Sequence, residues 1–350
     1  MNRYNFKLII VVAMAICFMG TSGCGPRSAP QATVRSGQEK LSIQLNWYAE
    51  AEHGGVYQAK ADGTYEQAGF DVEIRPGGRA TPIAAEVVMG RADFAIANAD
   101  DVVLFRAAGS DIVALMAAMQ DHPRCILVRA DSAMKSWEGL KGMTLQRQEG
   151  QGFVEFLRSR GVLEGVQEVP YHGSVSNLVT DPNIAIQAYS FAEPFMAKEA
   201  GAEVRTWMVS DLGWNPYSSV LVTRGELIRT KPELVKAFVK STQKGWQNYL
   251  TDPTLGNKSI LDANQHGMTS DALQFGSKAL VELAKPGEMS IEQVGLMTMD
   301  RWKALVDQMV EIKLIEPGKV KPEDCFTDRF IGEPSASTDD SVADGTKAKF

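Results

Sequence analysis

Hydrophobic and polar positions alternate through the chain in short blocks. Leu41-Ser-Ile-Gln-Leu45 and Phe70-Asp-Val-Glu-Ile74 alternate with a period of two and predict strands. Val56–Gly63 predicts the helix between them. Pro76-Gly77-Gly78 breaks the chain, and Pro82 to Met89 predicts a second helix closed by Gly90. Ala92–Ala97 follows as a strand, Asp101–Ala108 as a helix stopped by Gly109, and Ile112–Met119 as a buried strand. This strand–helix rhythm suits right-handed crossovers in a parallel sheet.

The rhythm restarts at Cys125, with strands predicted over Cys125–Arg129, Gly142–Gln146, Ile184–Ser190 and Ser218–Thr223, and a helix over Phe153–Arg160 ended by Gly161. Beyond residue 223 the pattern becomes helical. Thr230-Lys-Pro-Glu233 has capping-box spacing ahead of a helix carrying Leu234, Val235, Phe238, Val239, Trp246 and Tyr249. Ser290-Ile-Glu-Gln293 has the same spacing ahead of a second long helix through Met309. The fold class is therefore α/β.

Length changes the picture first. Single cores stop growing at roughly 250–300 residues, so a chain of 350 residues should divide in two. The N-terminus joins a basic segment (Arg3, Lys7) to a 12-residue apolar run, Leu8–Met19, and then to Thr21-Ser-Gly-Cys24. That run is too short to span a bilayer, which takes about 20 residues, and reads as a signal peptide over 1–23. The segment before Cys24 resembles a bacterial lipobox, with Thr21 where Leu is usual, and makes Cys24 the expected lipidation site.

Removing 1–23 moves the net charge from −7 to −9. With no Lys/Arg block, this excludes a phosphate-tracking nucleic-acid binder. Residues 24–40 read as a flexible tether and 332–350 as a polar, disordered tail. Cys125 and Cys325 remain in the exported chain, and sequence alone does not fix whether they pair.

Catalytic signatures are missing: no Walker sequence, GxSxG elbow or CxxC occurs, and no pair among His53, His122, His172 and His266 has metal-ligand spacing. No metal or cofactor is expected. Polar and aromatic residues instead gather after predicted strands, where open α/β sheets bind ligands. They are Asn46 and Trp47 after the first strand, Gly78 after the second, Asn98 and Asp100 after the third and Gln120 after the fourth. In the second half they are Gln148 and Glu193. Aromatic faces, amides and a carboxylate are what a small polar ring needs. His53 fits a helix start or a ligand contact equally, and Trp214 and Tyr217 fit hinge packing or binding.

Six stretches carry a resemblance in order: Leu45-Asn-Trp47 with His53-Gly-Gly-Val-Tyr-Gln-Ala-Lys60, Gly69-Phe-Asp-Val72, Gly90-Arg-Ala-Asp-Phe-Ala-Ile96, Trp137-Glu-Gly-Leu-Lys-Gly142, Glu193-Pro-Phe195, and Lys231-Pro-Glu-Leu-Val-Lys-Ala-Phe238. Over about residues 41–330 the chain resembles substrate-binding proteins of ABC importers, in the group that joins sulfonate-binding proteins with thiamine-pyrimidine-precursor proteins. The resemblance implies a two-lobed type II periplasmic-binding-protein fold, with residues 41–124 plus 222–331 as lobe 1 and 125–221 as lobe 2. It implies a solute held in the cleft between lobes, delivery to an ABC permease with its ATPase subunits, and a monomer held at the membrane by its anchor on Cys24, outside the cytoplasm.

Asn46-Trp47 with His53 looks more like the pyrimidine-precursor branch, with Trp47 stacking and Glu193 accepting. A sulfonate would instead call on Arg79 and the Gly150–Gly152 turn. The fungal pyrimidine synthase shares the fold and a histidine matching His53. Its cysteine cluster has no counterpart in Leu212–Val220, and Lys60 alone does not make a pyridoxal phosphate site. The expectation is a binding protein and not an enzyme, with an extracytoplasmic sensor that keeps the fold without transport as a further alternative.

Overall fold

A computed structural model describes residues 37–331. The signal peptide, Cys24, most of the tether and the tail lie outside the described residues.

Ten strands form two sheets of five. The first holds β1 (Glu39–Gln44), β2 (Phe70–Arg75), β3 (Phe94–Ala97), β4 (Ile112–Met119) and β10 (Ser218–Arg224), in the order β2-β1-β3-β10-β4. The second holds β5 (Arg124–Arg129), β6 (Thr144–Arg147), β7 (Gln167–Pro170), β8 (Ile184–Tyr189) and β9 (Val204–Met208), in the order β7-β6-β8-β5-β9. The chain crosses between sheets twice, through residues 120–123 and again through 209–217.

Both sheets are mixed, which corrects the expectation of a parallel sheet. β1 runs parallel to β2 and β3, but β10 is antiparallel to both β3 and β4. In the second sheet β6 is parallel to β7 and β8, while β5 is antiparallel to β8 and β9. The inserted strands are the two that directly follow a crossing. A chain entering a sheet by a short link, without a helix to carry it back to the starting edge, runs against its neighbours. β7 and β9 escape the sequence pattern because they are short edge strands whose residues are partly exposed.

β4 has all eight residues buried. Its side chains serve both faces of the sheet: Ile112, Ala114 and Ala117 enter one core, and Val113, Leu115, Met116 and Met119 the other. The switch of parity coincides with a bulge where Leu221 and Val222 pair Met116 and Ala114. β5 alternates regularly, with Ile126 and Val128 on one side and Cys125 and Leu127 on the other. Cys125 and Cys325 are both buried and both free.

The two sequence capping boxes act differently from expectation. Thr230 ends a helix over Gly225–Thr230 and its hydroxyl donates to the Glu226 carbonyl, so the Pro232–Thr251 helix starts instead from Pro at its first position. Ser290–Gln293 does form a box, but it closes a single 3₁₀ turn over Ile291–Gln293. The long helix Met299–Glu311 begins at Thr298, whose hydroxyl accepts the Arg301 N–H.

Among the described residues no helix is long and apolar enough to cross a membrane.

Candidate functional site

A cleft of about 460 Å³ is lined by residues carried on both sheets. From the first come Asn46, Trp47, Glu52, Gly78, Arg79, Asn98 and Asp101. From the second come Arg124, Gln148, Gln151, Tyr171, Gln187, Tyr189 and Glu193.

The chain reaches this wall by a close approach of two loops. The Gly77 N–H donates to the Trp47 carbonyl at 2.8 Å, and a Cβ on Gly77 would collide with the Leu45 carbonyl. Only glycine lets the turn after β2 pack on the turn after β1. Asn46 and Trp47 are thereby held half-buried at the cleft, with Tyr48 at 5.1 Å from the Trp47 ring.

Asn98 is fixed from three directions. Its backbone N–H donates to Asp101 Oδ2 at 3.1 Å in the capping box of the Ala99–Ala107 helix. The Ser218 hydroxyl donates to Asn98 Oδ1 at 2.7 Å, and Asn98 Nδ2 donates to the Tyr189 hydroxyl at 3.3 Å. The last bond joins the two sides of the cleft. On the far wall, Gln148 and Gln187 form a reciprocal pair: the Gln148 N–H donates to Gln187 Oε1 at 2.6 Å and Gln187 Nε2 donates to Gln148 Oε1 at 3.1 Å.

Glu193 opens the helix Glu193–Glu199. Its carboxylate accepts the Tyr189 N–H at 2.7 Å and the Tyr171 hydroxyl at 3.1 Å. Burial pushes its carboxyl above the usual range, against the pull of these hydrogen bonds and of Arg124. Glu52 is 1% exposed, and neither carboxylate oxygen has a hydrogen-bond partner among the described residues.

Six of the sequence-predicted residues meet in the cleft: Asn46, Trp47, Gly78, Asn98, Gln148 and Glu193. The other four sit elsewhere. His53 is fully buried behind Asn46, with Nε2 at 2.9 Å from Asn46 Oδ1 and 3.2 Å from Glu52 Oε1. It orients the asparagine and does not line the cleft. Gln120 and Tyr217 belong to the two crossing segments. Arg301 donates to the Gln120 carbonyl at 2.6 Å and the Asn215 carbonyl at 2.9 Å, and lies 3.8 Å from the Tyr217 ring centre. Asn215 also accepts the His122 N–H and donates to Asp121. The crossings are therefore tied to each other, and Tyr217 falls on the hinge-packing side of its two readings.

Asp100 lies beneath the cleft, where a Cβ on Gly152 would come 3.0 Å from Asp100 Oδ2 and 2.7 Å from the Trp214 indole. It joins the helix after β3 to the first turn of the Gly152–Ser159 helix. Burial, then the charge of Asp101, push its carboxyl from 3.8 up to about 7. The native state therefore holds this proton more tightly than the unfolded chain. Its contribution to stability is full below about pH 4 and is lost as pH rises through about 7. Thermal melts between pH 5 and 8 should show stability falling as pH rises towards about 7 and levelling off above it, and Asp100→Asn should flatten that slope. An unchanged slope in the variant would remove Asp100 as its source.

Sequence reasoning missed Glu52, Asp101, Arg124, Tyr171, Gln187 and Tyr189. Tyr189 ends a strand and was within reach of the strand-end rule. Arg124 starts one. It pairs in register with Tyr189 because β5 is antiparallel, so the beginning of β5 sits beside the end of β8. No local signal marks that reversal.

Among the described residues no cluster of His, Cys, Asp or Glu is arranged to hold a metal ion. Lys60 points elsewhere, its ammonium donating to the Val72 carbonyl at 2.8 Å.

Two mixed sheets with a polar cleft between their strand ends define the periplasmic-binding-protein class of fold. The chain belongs to the NMT1/THI5 like family, whose model matches residues 50–255. The aliphatic sulphonate binding protein SsuA of Escherichia coli has a similar structure, at a TM-score of 0.61 and 15% identity over 89% of this chain and 96% of that one. Among relatives, a riboflavin-binding protein, RibY, of Chloroflexus aurantiacus is 22% identical, covering 70% of this chain and 72% of that protein. A formylaminopyrimidine-binding protein of Halalkalibacterium halodurans is 21% identical (71% and 76%). A 4-amino-5-hydroxymethyl-2-methylpyrimidine phosphate synthase of Legionella pneumophila is 20% identical (84% and 93%).

Proposed function

We propose that this protein is the extracytoplasmic solute-binding component of an ABC importer and that its solute is a small nitrogen heterocycle of the thiamine-pyrimidine-precursor kind. The observation that carries the reading is the convergence of Trp47 and Tyr189 with the Glu52 and Glu193 carboxylates in one cleft. A flat ring takes its binding energy from aromatic faces, and its amino group takes its orientation from a carboxylate. The relatives named for formylaminopyrimidine and riboflavin bind nitrogen heterocycles by those names, which supports the same class here.

In this reading residues 41–124 with 222–331 and residues 125–221 act as lobes. Their closure over the solute creates the surface that the permease reads. Export by the 1–23 segment and an anchor at Cys24 keep the monomeric protein beside that permease. Binding without turnover is favoured over the synthase chemistry of one relative. Lys60 is tied to a backbone carbonyl, and Leu212–Val220 carries no cysteine.

One observation favours an alkylsulfonate as a second reading. Arg79 and Arg124 line the same cleft, and neither forms an ion pair among the described residues. A thermal-shift screen of solute-stripped protein separates the two. A ligand at 100 times its Kd adds about 2.7 kcal/mol, so aminopyrimidines should raise the melting temperature and alkylsulfonates should not. A shift with sulfonates alone would overturn the heterocycle.

A further inference from the structure

Arg124 is a buried charge whose partner is not found among the described residues. It is 8% exposed, it lines the cleft, and its guanidinium carbon lies 4.2 Å from the Tyr189 ring centre and 4.9 Å from that of Phe153. These two rings pack against the guanidinium, which a flat delocalised cation favours. No side-chain hydrogen bond from it occurs among the described residues, Nε is buried without a partner, and no carboxylate lies within 4.0 Å of its nitrogens.

The acids around it are otherwise engaged. Asp101 accepts from the Asn98 N–H, and Glu193 accepts from Tyr189 and Tyr171. Asp100 and Asp101 feel the charge of Arg124 without reaching it. A buried guanidinium with empty donor geometry is costly unless something supplies oxygen acceptors. In the same cleft Glu52 shows the opposite need, a buried carboxylate that forms no hydrogen bond among the described residues and has only the His53 ring, 3.2 Å from Oε1, beside it. The pair asks for one molecule that carries both complements.

Resting on the heterocycle reading above, we propose that the solute is an amino-substituted heteroaromatic acid: its ring amine is read by Glu52 and Glu193, and its oxyanion is held by Arg124. Arg124 is then the residue that separates acidic from neutral heterocycles. Hydrogen bonds to charged groups contribute about 1.5–3 kcal/mol, which is a preference of at least about tenfold.

The test is calorimetric titration of the solute-stripped full protein with three probes. They are 4-aminopyrimidine-5-carboxylate, its neutral isostere 4-aminopyrimidine-5-carboxamide, and ethanesulfonate, which has the oxyanion without the ring. Wild type should bind the carboxylate at least about tenfold tighter than the carboxamide. Arg124→Gln should erase that preference by weakening the acid while leaving the carboxamide within about threefold, and Arg124→Lys should recover part of it. Should Arg124→Gln fail to fold, the wild-type ratio and its reduction in Arg124→Lys carry the test. Equal binding of the two pyrimidines by wild type overturns the acid and leaves the heterocycle, and a wild-type preference untouched in both variants overturns Arg124 as the group that holds the oxyanion. Binding of ethanesulfonate alone overturns the heterocycle itself, and binding of none of the three overturns the proposal.

Discussion

Glu193→Ala is expected to lower solute affinity by about 100-fold, with a change in melting temperature of the empty protein much smaller than the change in binding. The carboxylate makes two hydrogen bonds inside the protein, from the Tyr189 N–H and the Tyr171 hydroxyl, and each fixes part of the cleft wall. Truncation removes the acceptor offered to the ring amine, worth about 1.5–3 kcal/mol for a charged hydrogen bond. It also frees the Tyr171 ring to move into the space left behind. Glu193→Gln keeps the shape and one acceptor, so it should fall between wild type and alanine. Titration calorimetry with the aminopyrimidine probes measures all three. If alanine binds as tightly as wild type, Glu193 has a structural role only and the ring is oriented by another group.

The largest expected loss of stability comes from a methyl group in the helix that follows Glu52 and His53. Gly54 and Gly55 begin the helix Gly54–Ala61, which packs on Pro232–Thr251 so closely that a Cβ on either residue would fall inside the Tyr249 or Trp246 ring. Both rings are buried, at 1% exposure. Gly245, on the facing helix, meets the Gly55 carbonyl and Ala59 in the same way. Overpacking a tight core costs about 1–3 kcal/mol, and with no side that can give way Gly55→Ala should reach the upper end. Denaturant unfolding would read this as a lower midpoint with unchanged slope. Pairing it with Trp246→Leu should return part of the loss relative to Trp246→Leu alone, because the colliding ring is gone. Full additivity of the two would refute the collision as the cause.

Much of the cleft was legible from strand ends. Asn46, Trp47, Gly78, Asn98, Gln148 and Glu193 all follow strands that the sequence predicts, and all six line the same cavity. Gln120 also follows a strand, but β4 leads straight into a crossing, so its amide is spent on the Leu296 carbonyl and Arg301. Asp100 failed for a different reason. Its neighbour Asp101 stands at the third helical position, where the capping box turns it back to Asn98 at the cleft, and Asp100 points into the packing against Gly152. Adjacent residues on a helix are about 100° apart, so a one-residue error changes the face entirely.

The sequence by itself determined the strands other than β7 and β9 and several of the helices, because the periods of two and 3.6 are properties of the backbone and need no partner. It determined the family and which residues follow the parallel strands that line the cleft. Only the tertiary structure decided the direction in which β5 and β10 enter their sheets. That direction depends on where a short crossing segment emerges, which is a property of the packed whole. Because both strands run against their neighbours, their first residues, Arg124 and Ser218, come to the edge where the parallel strands end. The buried cation of the cleft is therefore placed by topology, and no local pattern around it announces the fact.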